Sequence, residues 1–190
     1  MSRDRPAIEL DNAIMNPTKL WRGDELWIDS EAPPAARGIY AWYFDSIPEG
    51  VPLDRCHSLG DRWLLYVGIS PSSDNSKANL RKRLRQHFRG NARGSTLRRT
   101  VGCLLQKELG LVYYRSSPKS MRFTKESEAV LSQWLTEHAR VAWATCTEPW
   151  IEEERLINQL SLPLNLQRNG AHPFYPELKR MRAEMARQAS

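Results

Sequence analysis

Several features that would place a sequence in a special class are missing here. No apolar run approaches the roughly 18 residues of a transmembrane helix, so we expect no membrane span. The first residues, Met-Ser-Arg-Asp-Arg-Pro, lack the apolar core of a secretory signal peptide. The three cysteines are far apart and form no CxxC pair, which favours free thiols over disulfides or a zinc site. We therefore expect a cytoplasmic protein.

Acidic residues are missing from residues 75–107, a stretch that we call the basic segment. It contains ten cationic residues: Lys77, Arg81, Lys82, Arg83, Arg85, Arg89, Arg93, Arg98, Arg99 and Lys107. Ten positive charges in a chain of net charge +6 leave −4 on the remainder, so all of the positive excess lies here. Such a cluster attracts a polyanion and releases counterions on binding it. A solvated helix face is the alternative, but ten cations with no intervening acid favour nucleic acid.

What is present is an ordinary globular composition. With 41% hydrophobic and 26% charged residues, the 190-residue chain suits a single domain with a buried core. We interpret residues 1–36 as a leader that ends in a turn or linker at Ala32-Pro33-Pro34-Ala35-Ala36. The main domain is assigned to residues 37–166. Residues 167–190 are predicted to form a C-terminal helical extension that packs on the same domain.

The order of predicted elements indicates an α+β fold. Aromatic and β-branched residues predict strands over residues 38–44, 63–69, 111–115 and 140–146, with a loop over 45–62. Apolar spacing predicts helices over residues 78–88, 96–109, 125–138, 150–160 and 176–187. Asn75 or Ser76 is expected to cap the first of these helices. We expect a small, mostly antiparallel, three-stranded central sheet flanked by helices.

Four separated motifs resemble the GIY-YIG nucleases over about residues 37–165. The first two are Gly38-Ile39-Tyr40 and Tyr66-Val67-Gly68, which lie on neighbouring predicted strands and differ from the usual pair by one Val. The third is the helix that carries Arg83 and, one turn later, His87. The fourth runs from Glu153 to Asn165. Each motif alone is weak, whereas their order along the chain makes the resemblance specific.

The resemblance implies a metal-dependent endonuclease with the GIY-YIG fold. It assigns Arg83 to the scissile phosphate, with His87 facing the same site. Tyr40 would orient or deprotonate the attacking water, and Tyr66 would support it with a hydrogen bond. Glu153 would bind Mg²⁺ or Mn²⁺. Structural support would come from Gly38, Gly68 and Asn165.

The residues themselves are consistent with this chemistry. Arg83 offers a planar, permanently charged group that matches phosphate oxygens, and His87 lies on the same helix face. Glu153 shares its face with Leu156, Ile157 and Leu160, so its carboxylate is expected to point inward, where a hard cation would offset the cost of its charge. Glu154 is the alternative ligand.

DNA, double-stranded or branched, is the expected substrate, in restriction, defence or repair. The residues expected to contact it are Arg81, Lys82, Arg85, Arg89, Arg93, Ser95, Thr96 and Arg98, although Ser95 also suits a helix N-cap. Cutting both strands with one site per chain favours a homodimer or a partner protein. The alternative function is a catalytically inactive nucleic-acid-binding module with the same fold.

The sequence departs from the family at one position near the site. Ile69 occupies a position where some family members carry a Lys, so that cation is missing here.

Overall fold

The computed structural model describes residues 4–28, 32–117 and 120–189. The helices are α1 (Asp4–Met15), α2 (Leu80–Arg89), α3 (Thr96–Leu104), α4 (Lys125–His138), α5 (Pro149–Gln159) and α6 (Tyr175–Gln188). The strands are β1 (Gly38–Phe44), β2 (Ser58–Leu59), β3 (Arg62–Ser70), β4 (Tyr113–Ser117), β5 (Ser120–Phe123) and β6 (Ala139–Thr145). The predicted α+β class is confirmed.

The central sheet is antiparallel, with strands in the order β2-β3-β1-β6. It has four strands, so the prediction of three was wrong. The additional strand, β2, is only two residues long and pairs with the start of β3, inside a stretch predicted to be loop. So short a pairing leaves no periodic pattern in the sequence. All seven residues of β1 are buried, because this strand is central and both faces of the sheet are covered.

Alternate residues of β1 enter two different core clusters. Tyr40, Trp42 and Phe44 pack in a cluster that includes apolar side chains of α2, α3, α4 and α6. Ile39, Ala41 and Tyr43 pack on the opposite face with apolar side chains of α1 and α5. We call the first the tyrosine face and the second the back face. The helix that carries Glu153 therefore packs on the back face.

The leader predicted for residues 1–36 is largely an integral part of the domain. Helix α1 lies on β6 and contributes Ile14 to the core of the back face. Trp21 exchanges both backbone hydrogen bonds with Val141, at 2.9 and 3.0 Å, and so extends the sheet beyond β6. Residues 1–3 and 29–31 of the leader lie outside the described residues. Leu10 and Ile14 of α1 are buried four residues apart, a helical spacing that the interpretation of residues 1–36 as a leader left out.

Three further boundaries differ from the predictions. Asn79, and not Asn75 or Ser76, caps α2, because its side chain accepts a hydrogen bond from the Lys82 amide. Helix α3 ends at Leu104, and turns continue to Gly110. Strands β4 and β5 form a separate hairpin of which only the first strand was predicted.

Helices α4, α5 and α6 match their predicted positions to within about one residue. Pro149 occupies the first turn of α5, where a missing amide hydrogen costs nothing. Helix α6 packs on α3 and β4, with Leu178 and Met185 in the core. Over the three described ranges, helices that are long and apolar enough to cross a membrane are absent.

Candidate active site

A cleft of about 330 Å³ opens at one end of the sheet, where β1 and β3 meet α2 and α5. Its walls include Tyr40, Tyr66, Arg83 and Glu153, which come from four different elements. The two tyrosines lie on the same face because Tyr40 is paired with Gly68 and Tyr66 with Trp42 across the β1–β3 ladder. The structure therefore brings together four of the five residues that the sequence nominated for catalysis.

Two glycines of the paired triplets allow close packing around this cleft. A Cβ atom on Gly68 would lie 2.6 Å from the hydroxyl oxygen of Tyr40. A Cβ atom on Gly38 would collide with the carbonyl oxygen of Ala144 on the neighbouring strand. Any other residue at either position would displace the Tyr40 ring or separate two strands, which explains the need for glycine.

The hydroxyl of Tyr40 belongs to a buried chain of hydrogen bonds. It lies 2.7 Å from His87 Nε2, and His87 Nδ1 lies 2.7 Å from Ser95 Oγ. Ser95 Oγ also accepts from the amide of Arg98, so the same hydroxyl caps α3. His87 is the fifth nominated residue. It contacts Tyr40 from behind and is absent from the cleft wall.

Burial determines the protonation states of the side chains in this hydrogen-bonded network. The pKa of His87 is held well below its usual 6.5 by burial, with further lowering by the nearby charges of Arg83 and Arg98. The ring is therefore neutral at pH 7 and carries a single proton. Burial also raises the pKa of Tyr40, which Arg83 partly offsets, and it raises the pKa of Tyr66. Both tyrosines are consequently neutral phenols in the resting protein.

Arg83 connects Tyr40 to the turn between α2 and α3. Its Nε donates to the Tyr40 hydroxyl at 3.2 Å, and its Nη1 donates to the carbonyl of Gly94 at 2.8 Å. These two bonds fix the plane of the guanidinium against the cleft. The remaining N–H groups are available to an anionic ligand in the cleft.

The three consecutive glutamates of α5 have three different environments. Glu152 forms an ion pair with Arg155 at 2.9 Å. Glu154 is exposed and lies 3.4 Å from Arg168. Glu153 alone lines the cleft, and burial raises the pKa of its carboxyl, although Arg168 and Arg83 lower it. The carboxylate of Glu153 is thus the one placed where a cation could reach it.

Asn165 is buried beside β3, and its side-chain amide forms the hydrogen bonds that a neighbouring strand would otherwise form. Its Oδ1 accepts from the amide of Val67 at 3.0 Å, and its Nδ2 donates to the carbonyl of Val67 at 2.8 Å. One residue earlier, the amide of Leu164 donates to the carbonyl of Leu65. These bonds satisfy the edge of β3 next to Tyr66 and hold that strand in place.

A family model described as the GIY-YIG catalytic domain matches residues 38–184, which is most of the chain. The chain belongs to the GIY-YIG family. No curated protein and no solved structure matches it. Membership of this family indicates a nuclease domain that acts on DNA and a reaction of the hydrolase class. The match begins at the first Gly of the paired triplets and extends into α6.

The GIY-YIG site also contains residues that the sequence reasoning missed. Ser70 is 1% exposed and lines the cleft, and its Oγ has no hydrogen-bond partner in the described part of the chain. It follows Gly68 by two positions, so strand periodicity alone could have placed it on the tyrosine face. Arg168 also lines the cleft, as does Ile69, which occupies the position where some members of the family carry a Lys. No local pattern marks Arg168 in the sequence.

The residues nominated for nucleic-acid contacts separate into two groups. Lys82, Arg85, Arg89 and Arg93 have exposed side chains, and Thr96 lines the cleft. Arg81 is half-buried and donates from Nε to the carbonyl of Pro33. Ser95 and Arg98 are buried and have structural partners, so their side chains are withdrawn from solvent.

Proposed function

We propose that this protein is a divalent-metal-dependent endonuclease that hydrolyses phosphodiester bonds in double-stranded or branched DNA. The observation that carries the proposal is the convergence of Tyr40, Arg83 and Glu153 on one cleft, with the Tyr40 hydroxyl held between Arg83 and His87. Such a site offers the three elements that phosphodiester hydrolysis requires. They are a positioned water, a cation on the phosphate and an anchor for a metal ion.

Tyr40 is proposed to position the attacking water and to receive its proton. The hydroxyl oxygen accepts from Arg83 Nε and has a further lone pair for the water. Tyr40 can accept that proton only as a phenolate, a form that burial disfavours and that the charge of Arg83 stabilises. His87 lies 2.7 Å away and stays neutral, because burial and the charges of Arg83 and Arg98 oppose its protonation, so its role is to hold the Tyr40 oxygen by a hydrogen bond. Tyr66 is proposed to support the water with a second hydrogen bond.

Arg83 is proposed to bind the scissile phosphate. Two of its nitrogens are already directed by Tyr40 and Gly94, so little side-chain entropy is lost when a phosphate binds. Negative charge grows on the phosphate oxygens in the transition state, and a fixed guanidinium stabilises that charge more than it stabilises the ground state. This group therefore contributes to turnover more than to affinity.

The donor set of the cleft fits a hard divalent ion such as Mg²⁺ or Mn²⁺. Glu153 supplies one carboxylate whose charge is incompletely compensated, since burial raises its pKa even beside two arginines. Within the described residues, no three His, Cys, Asp or Glu side chains cluster tightly enough to form an ion cage. One carboxylate together with waters and substrate oxygens is a common way to hold Mg²⁺. When bound, such an ion polarises a phosphate oxygen and lowers the pKa of a coordinated water.

The test is nicking of supercoiled plasmid by the purified protein with Mg²⁺, with Mn²⁺ and with chelator. Glu153→Gln keeps the side-chain shape and should abolish nicking. The matched control is Glu154→Gln, which alters the exposed neighbour and should retain nicking within about threefold. Glu153→Gln should be at least as stable as the parent in chelator at pH 7, because a raised carboxyl pKa means that ionisation opposes folding. Nicking by Glu153→Gln, or by the parent in chelator, would refute the metal site.

A further inference from the structure

A second groove, of about 470 Å³, lies between α3, the β4–β5 hairpin and α6. Four cationic side chains line it, namely Arg93, Arg99, Lys179 and Arg182. None of the described residues along its walls is acidic. Two of these cations come from the basic segment and two from α6. The fold thus brings cations from two distant parts of the chain together in one groove.

Arg182 is one of two half-buried cations that line this groove. Its side chain is partly buried, and its Nη1 donates to Thr100 Oγ1 at 3.3 Å. Among the described residues, no carboxylate forms an ion pair with it, and burial together with the charge of Arg99 lowers its pKa. The nearby glutamates of α6 pair with Arg180 instead. A half-buried cation beside other cations is costly unless an anion binds to it.

The groove and the active-site cleft are both lined by residues of α3. Thr96 lines the cleft and Arg99 lines the groove, and three residues advance a helix by about 4.5 Å. Arg93 lines the groove immediately before Gly94, which holds Arg83. Residues one turn apart on the same helix thus belong to the two sites, which places the groove beside the cleft.

We propose that this groove is a second phosphate-binding subsite, in which Arg182 holds a backbone phosphate of the substrate close to the scissile one. The inference rests on the proposed function and adds a site to it. A phosphodiester suits the groove because guanidinium groups form paired hydrogen bonds with its oxygens, whereas the apolar side chains Leu166 and Met185 can contact sugar. Arg182 is a substrate-binding residue that lies outside the catalytic cleft.

The experiment measures duplex binding in chelator, and plasmid cutting with Mg²⁺, for three variants of the full chain. Arg182→Gln should weaken binding about tenfold, as expected for one charge-assisted contact, and should reduce the slope of log K against log salt by about 0.9. Cutting should show a raised KM, with kcat within about threefold. Lys179→Gln, at an exposed position of the same groove, should weaken binding in the same direction even if Arg182→Gln fails to fold.

The matched control is Arg180→Gln, on the same helix but exposed and lining a different groove. It should bind within about twofold of the parent, because its charge is paired with Glu177 and Glu184 and faces a different groove. If Arg182→Gln and Lys179→Gln bind like Arg180→Gln while the parent cuts DNA, the subsite is refuted and the proposed function stands. A loss in kcat without a change in KM would also refute it, since that would indicate an effect on the chemical step and not on substrate binding. A parent that neither binds nor cuts DNA would refute the proposed function itself.

Discussion

Helices α2 and α3 come from the same basic segment, but Arg83 on α2 and Arg98 on α3 have opposite environments. On α2, Arg85 and Arg89 are exposed, and Arg83 lines the cleft. On α3, Arg98 is fully buried and forms an ion pair with Glu128 at 2.6 Å. Arg98 also donates to the carbonyls of His87 and Phe88, at 3.0 and 3.1 Å, and so caps the end of α2.

The difference shows that the number of cations in a segment overestimates its contacts with nucleic acid. Arg98 is withdrawn from solvent because α4, thirty residues further along the chain, brings Glu128 against it. Glu128 also accepts from the amide of Ala92 in the α2–α3 turn. This single carboxylate therefore holds the turn from which Gly94 orients Arg83. Glu128, which binds the buried Arg98, thus also supports the turn that orients Arg83.

The largest expected effect is on stability, at Arg98. Arg98→Met should reduce the free energy of unfolding by about 3–5 kcal/mol, because it leaves Glu128 and two helix carbonyls without their partner in the interior. Urea denaturation at pH 7 measures this change. The matched control, Arg85→Met on the exposed face of α2, should change stability by less than about 0.5 kcal/mol. Equal effects at both positions would remove the contrast between the helices.

The next effect is on catalysis, at Arg83. Arg83→Ala should lower the rate of DNA cutting by about 10²–10³-fold, the range found when one transition-state donor is removed. Duplex binding should stay within about tenfold, since the exposed cations of α2 remain. Gel-shift titration and single-turnover cutting separate the two quantities. If binding and cutting fall equally, Arg83 is a docking residue and the proposed role is wrong.

His87 lies where the two helices meet and should make the protein sensitive to acid. Its folded pKa is below 6.5, so the unfolded chain takes up a proton that the folded chain resists. Stability should therefore fall as pH drops below about 6.5, by up to about 2 kcal/mol at pH 5 from this group. His87→Gln should lower stability at pH 7 but flatten that slope. His172→Gln, at a less buried imidazole, should retain most of the slope.

The smallest expected effects are those of single surface cations on α2. Lys82→Gln and Arg89→Gln should each reduce the salt-dependence slope of duplex binding by about 0.9 if each contacts one phosphate. Stability should barely change, because both side chains are exposed. Arg98→Met provides the comparison in this assay, and its slope should match that of the parent. A reduced slope for Arg98→Met would show that this buried guanidinium reaches DNA.

The sequence predicted local features of the fold well and long-range pairings poorly. Strand β1 is evident because a central strand buried on both faces needs a continuous apolar run. The inward direction of Glu153 follows from helical spacing alone. The partnership of Arg98 with Glu128 has no local pattern, since it depends on how α4 packs against α3. Strands β2 and β5 are too short, and partly too polar, to be distinguished from loop.

The cleft draws its walls from residues as distant as Tyr40 and Arg168, with Glu153 in the last quarter of the chain. A ribosome releases these parts in order, so the tyrosines and Arg83 emerge long before the proposed metal ligand. A nascent chain that ends before Glu153 carries Arg83 but lacks the carboxylate. On the proposed mechanism, a translation product truncated before Glu153 therefore cannot bind the metal ion and cannot cut DNA.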